Sequence, residues 1–152
     1  MKIFTPMAVL VATLLSVVVA LPFLPSAKLE ADRYVVEARL TSTREASLQM
    51  FYDDGAGFRE EFSGQVALRA NPEPIAYELP IQAGSYAVIR LDPPEGGKTI
   101  TLHSLQVVTA SGRVVAELPL ADFKQMQQLQ ALTLRNGSLE ITSTATGDDP
   151  QL

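Results

Sequence analysis

The sequence predicts an all-β fold: an antiparallel, two-sheet, jelly-roll-like sandwich of about nine strands, preceded by one N-terminal transmembrane or signal-anchor helix. Three observations predict it. Apolar residues alternate with period two over most of 33–143. Turn-forming groups such as Asp53-Asp54-Gly55, Asn71-Pro72, Ser111-Gly112 and Asn136-Gly137 punctuate that alternation at sandwich-like intervals. An uncharged run, 7–24, stands apart at the N-terminus.

That run reads MAVLVATLLSVVVALPFL, interrupted only by Thr13, Ser16 and Pro22. Hydroxyl side chains return a hydrogen bond to the preceding turn, and a proline near a helix end removes a donor where the loss is least, so a spanning helix tolerates all three. Lys2 precedes the run, whereas Lys28 beyond it is followed at once by Glu30 and Asp32. The charge bias places the N-terminus inside and the rest outside, so 1–27 reads as a membrane anchor or signal segment and 28–32 as a linker. Val18-Val19-Ala20 has the small-residue pattern of a signal-peptidase site, with Leu21-Pro22 directly after it disfavouring a cut. The expectation is a single-pass protein of a bacterial inner membrane with its C-terminal domain in the periplasm or exterior; the alternative is secretion after cleavage.

Within 33–41, Tyr34, Val36, Ala38 and Leu40 share one face. The pattern returns in 47–52, where Leu48, Met50 and Tyr52 oppose Gln49 and Phe51, and in 65–71, where Val66, Leu68 and Ala70 share a face. Ile75, Tyr77, Leu79 and Ile81 follow, with Pro80 on the opposite phase, which suits an edge strand because proline cannot donate to a ladder. Strands are expected over 86–92, 98–109 and 113–118. In the second of these Ile100 and Leu102 have one phase and Leu105 and Val107 the other, so a bulge is expected at His103-Ser104. Leu120, Phe123, Met126 and Leu129 recur at three-residue steps after Pro119, predicting a helix over 119–130. Asn136-Gly137 joins 131–135 to 138–143 as a hairpin. The sandwich domain therefore spans 33–143, and 144–152 is a polar tail.

Eleven of the 12 Lys+Arg and all 17 Asp+Glu lie beyond Ala27, giving that part a net charge of −6 and arguing against a nucleic-acid partner. There is no cysteine, hence no disulfide, thiol nucleophile or thiolate metal site, and the single His excludes a site built on two imidazoles.

The most distinctive stretch is 47–63, SLQMFYDDGAGFREEFS. Tyr52 and Phe58 are suited to stacking on a sugar ring, and Asp53, Asp54 and Arg59 to binding its hydroxyls; equally, Asp-Asp-Gly serves as a turn and Phe58 as a cap on the core. Arg90 and Asp92 flank Leu91 at a strand end before Pro93, as ligand contacts or as a turn anchor. Asp53, Asp54, Glu60, Glu61, Asp92, Glu95, Asp148 and Asp149 offer oxygens for Ca²⁺, though none has EF-hand spacing. A hydrolase built on paired carboxylates is a further alternative.

Ser47-Leu-Gln-Met-Phe-Tyr-Asp-Asp-Gly-Ala-Gly-Phe58, Tyr77-Glu-Leu-Pro80, Ile89-Arg-Leu-Asp-Pro93, Ile100-Thr-Leu-His-Ser-Leu-Gln-Val107 and the closing Thr146-Gly-Asp-Asp-Pro150 together resemble a β-sandwich module of bacterial membrane proteins. That module accompanies multi-spanning glycosyltransferase-like and other cell-surface polysaccharide proteins and has a jelly-roll fold like that of carbohydrate-binding modules. The resemblance implies that Gln49, Tyr52, Asp53, Gly55, Gly57 and Phe58 form a signature strand and loop, and Arg90, Asp92 and Pro93 a second signature. It implies a non-catalytic, membrane-tethered domain whose partner is a glycan or a membrane-embedded glycosyltransferase-like protein. A module that assembles with a membrane protein without touching sugar is the alternative.

Overall fold

The computed structural model describes residues 17–20 (backbone only), 34–82, 84–125 and 129–144. Its strands are β1 (Val17–Ala20), β2 (Tyr34–Ser42), β3 (Ala46–Asp53), β4 (Ser63–Leu68), β5 (Asn71–Pro80), β6 (Val88–Asp92), β7 (Thr99–Thr109), β8 (Val114–Glu117), β9 (Leu129–Arg135) and β10 (Ser138–Ser143). They form two antiparallel sheets, β1-β6-β3-β4 and β5-β2-β7-β10-β9, with β8 beside the second half of β7. The alternating residues face each other across the gap: Leu48, Met50, Tyr52, Ile89 and Leu91 from the first sheet meet Val36, Leu40, Leu79, Leu102 and Ile141 from the second, all essentially buried. Burial of these faces is the main stabilising term, since no disulfide contributes.

Three local expectations agree with the chain's path. Pro80 lies on β5, at the margin of its sheet, where its missing N–H costs no ladder bond. Arg39 pairs with Ser104 and Leu40 with Leu102, so His103 is the extra residue of a bulge and the inward phase of β7 changes there. Asn136 and Gly137 take φ of 50° and 79°, the backbone of a tight two-residue hairpin between β9 and β10.

The helix expected over 119–130 does not form. A single 3-10 turn, Leu120–Asp122, follows Pro119, and β9 has begun by Leu129. Three-residue spacing fits a 3-10 turn as well as a helix, and Leu120 and Phe123 reach the core from that one turn while Leu129 reaches it from a strand. The apolar stripe was therefore core, but not helical; Met126 lies outside the described residues.

Boundaries also move. β4 opens at Ser63 and β5 at Asn71, several residues before their alternation becomes apolar, while Tyr86 sits in the connection before β6, its hydroxyl donating to the Gln82 carbonyl at 2.8 Å. Of the expected anchor 1–27, only Val17–Ala20 is described, and these residues run as a strand on β6 rather than as helix, which suits three consecutive β-branched valines. No helix among the described residues is long and apolar enough to cross a membrane. The linker 28–32 and residues 145–152 of the tail lie outside the described residues.

Candidate functional site

β3 and β6 pair so that Gln49 lies opposite Asp92, Phe51 opposite Arg90, and Tyr52 opposite Ile89. Because strand side chains alternate, Tyr52 and Ile89 enter the core while Gln49, Phe51, Arg90 and Asp92 share the outer face of the four-stranded sheet. An outer face normally meets water, yet Phe51 is 0% and Arg90 3% exposed. The segment 54–62 folds back over them.

Two aspartates shape that segment. Asp53 Oδ1 accepts hydrogen bonds from the N–H groups of Gly55 at 2.7 Å and Gly57 at 2.8 Å, and Asp54 Oδ1 accepts one from Ala56 at 3.1 Å. The turn requires φ of 102° at Gly55 and 94° at Gly57, a region that side-chain-bearing residues rarely adopt. Its far end closes as a 3-10 turn, Glu60–Phe62, leading into β4.

Arg90 then fastens segment to sheet. Its guanidinium carbon lies 4.1 Å from the Phe51 ring centroid and 4.9 Å from that of Phe58, while Nη2 donates to Asp92 Oδ2 at 2.9 Å. A planar cation over aromatic faces, desolvated and held by a carboxylate, is a strong contact of its kind. Arg90 Nε is buried without a hydrogen-bond partner, consistent with a guanidinium committed to rings. A second fastening comes from Gln49, whose Nε2 donates to Glu60 Oε2 at 3.0 Å and Ser63 Oγ at 3.1 Å.

The exposed rim carries Asp54, Arg59, Glu60 and Glu61. Arg59 bridges Asp54 and Glu61, each at 2.9 Å, and its guanidinium carbon stands 4.4 Å from the Phe62 centroid. Phe58 is half-buried. Chemically, the segment offers a half-buried aromatic ring at Phe58 and, along the same stretch, one guanidinium and three carboxylates, groups able to contact a hydroxylated ring.

Of the seven sequence-selected residues, the fold brings Phe58, Arg90 and Asp92 into one cluster and pairs Asp54 with Arg59; Asp53 holds the turn. Tyr52 is not on this surface. It is 1% exposed, lies edge-on to Phe62 at 5.9 Å and Tyr86 at 4.6 Å, and its oxygen accepts from Gln82 N–H at 3.2 Å, so no ring face remains for a sugar. Its phase, shared with Leu48 and Met50, is the physical reason. Phe51 was missed as a site residue, although an aromatic on the polar phase of β3 signals a covered outer face.

Among the described residues no three His, Cys, Asp or Glu side chains gather as a metal site, so the proposed Ca²⁺ ligands do not converge there. Asp148 and Asp149 lie outside the described residues. His103 borders a cavity of about 420 Å³ between the Leu118-Pro119-Leu120 turn and the β9–β10 hairpin, with Nδ1 3.1 Å from Ser138 Oγ.

Tyr86, packed edge-on to Tyr52, makes the stability of the fold depend on pH. Burial, then the neighbouring Tyr52 and Asp54, push its pKa from 10.0 up to about 12. The folded chain therefore keeps a proton that the unfolded chain releases, so this contribution is complete below pH 10 and is lost as pH rises toward 12. Unfolding free energies from urea titrations across that interval are expected to fall with a slope of up to about 1.4 kcal/mol per pH unit, and Tyr86→Phe is expected to flatten it.

No family model, curated protein or solved structure matches this chain.

Proposed function

We propose that this chain is a non-catalytic, carbohydrate-binding-like module, tethered at a bacterial inner membrane through 7–24, with its sandwich in the periplasm or exterior. Its role is accessory to an envelope polysaccharide or glycosyltransferase system. The observation that supports the reading is the segment 54–62, held over the outer sheet face by Arg90, which carries the half-buried Phe58 ring together with the Asp54–Arg59–Glu61 ion pairs. A preorganised aromatic with polar groups at its rim binds sugars without a large ordering cost. Tethering adds effective concentration near a membrane-embedded partner. The pairing of β3 with β6 in one sheet and of β2 with β7 in the other supports jelly-roll winding, while β4 beside β3 and β5 beside β2 depart from it.

A glycan array probed with the full chain in detergent tests this. Binding to an acidic or neutral envelope glycan is expected, reduced about tenfold or more by Arg59→Ala and by Phe58→Ala, with unchanged circular dichroism. A folded chain that binds no glycan, or binds equally in both variants, overturns the reading.

The alternative of an assembly module that binds a membrane protein is favoured by one observation. Val114 and Val115 on the short strand β8 are 46% and 44% exposed, adjacent apolar residues on a strand whose outer edge is unpaired among the described residues.

A further inference from the structure

The edge of β6 carries an inference that rests on the proposed anchor or signal role of 7–24 and not on the glycan reading. Val17 pairs with Leu91, Val18 with Arg90, Val19 with Ile89 and Ala20 with Val88, and this is the sole ladder holding β1 among the described residues. Remove it, and β6 becomes the margin of its sheet.

The same four residues lie inside the uncharged run 7–24. A helix and a sheet ladder draw on the same backbone N–H and C=O groups, so a chain whose run crosses a bilayer as a helix has no β1. A chain cut after Ala20 has lost it altogether. Either fate expected from the sequence therefore opens a row of backbone donors and acceptors on β6, directly beside Ile89 and Leu91, which are each 1% exposed.

β6 also lacks the usual protection of an open edge. No lysine, proline or bulge interrupts Val88–Asp92, and its one cation, Arg90, is engaged by Phe51, Phe58 and Asp92 on the outer face. We propose that the β6 edge is a strand-acceptor site that binds, antiparallel, an extended uncharged segment rich in β-branched residues from another polypeptide. Val17–Ala20 is its seated example. The register sets the chemistry of the occupant. Positions opposite Ile89 and Leu91 lie on the core side of the sheet and take apolar residues. The position opposite Arg90 takes a neutral one, because that guanidinium already has its carboxylate.

The test opens the edge and offers the strand in trans. The full chain carrying Val18→Pro, in detergent, is followed by hydrogen–deuterium exchange with and without a synthetic peptide of residues 14–21 flanked by lysines; Val18→Asp is the second variant should the first not fold. Saturating peptide is expected to slow exchange of the 88–91 amides about tenfold and to leave β9, at the margin of the other sheet, unchanged. Unchanged exchange over 88–91 overturns the proposal. Equal slowing at β9, or by a control peptide with proline at the Val18 position, overturns it too.

Discussion

Replacing Arg90 with alanine is expected to destabilise the folded chain by about 3 kcal/mol, read as a lower urea midpoint with little change in its slope. The residue is 3% exposed, so its loss leaves a void against Phe51 and strips Asp92 of a buried cation 2.9 Å away. It also releases Phe58, because the guanidinium is what that ring rests on. Arg90→Lys is expected to recover only part of the loss, since an ammonium keeps the charge but not the planar contact with two rings. In a double-mutant cycle, Arg90→Ala and Phe58→Ala are expected to be less than additive, the signature of two residues that share one contact. A loss below about 1 kcal/mol for Arg90→Ala would mean that the segment 54–62 is held by Gln49 and the rim ion pairs instead.

Tyr52→Ala is the second large effect, at about 3–5 kcal/mol, because it empties a fully buried aromatic position between Phe62 and Tyr86. Tyr52→Phe is expected to cost only about 1 kcal/mol, the net worth of the bond from Gln82 N–H. Thermal unfolding of the two variants separates a core role from a surface role. A stable Tyr52→Ala chain would be incompatible with the packing described.

Much of the fold was legible in the residues themselves. Period-two alternation identified the core faces of β2 and β3, and the change of phase around His103 located a bulge whose partner strand lies more than sixty residues away, at Arg39 and Leu40. Those signals are local, and the side chains reporting them point where the pleat sends them. The helix over 119–130 failed because apolar residues three apart do not distinguish one 3-10 turn from a longer helix, and the packing of Leu120 and Phe123 decided between them. The strand at Val17–Ala20 was hidden for a related reason: an apolar valine run reads equally as lipid-facing or as sheet.

The site was legible in parts but not as a whole. Alternation put Phe51 and Gln49 on one face, and Asp-Asp-Gly announced a turn, yet nothing local brings Arg90 to Phe51. That juxtaposition follows from the register of β3 on β6, which joins positions thirty-nine residues apart. Tyr52 was grouped with the loop by proximity in sequence, although its phase already assigned it to the core.

The place of β2 in its sheet governs how this domain comes into being. β2 lies between β5 and β7, and Tyr34 at its start pairs with Thr109 at the end of β7. During synthesis β5 can reach β2 early, but the other side of β2 stays open until residues 99–109 have left the ribosome. Such non-local pairing has a high contact order and folds on the slow side, in milliseconds to seconds rather than microseconds. For that interval one edge of β2 presents unpaired backbone N–H and C=O groups, so the nascent chain rather than the finished domain is where aggregation threatens.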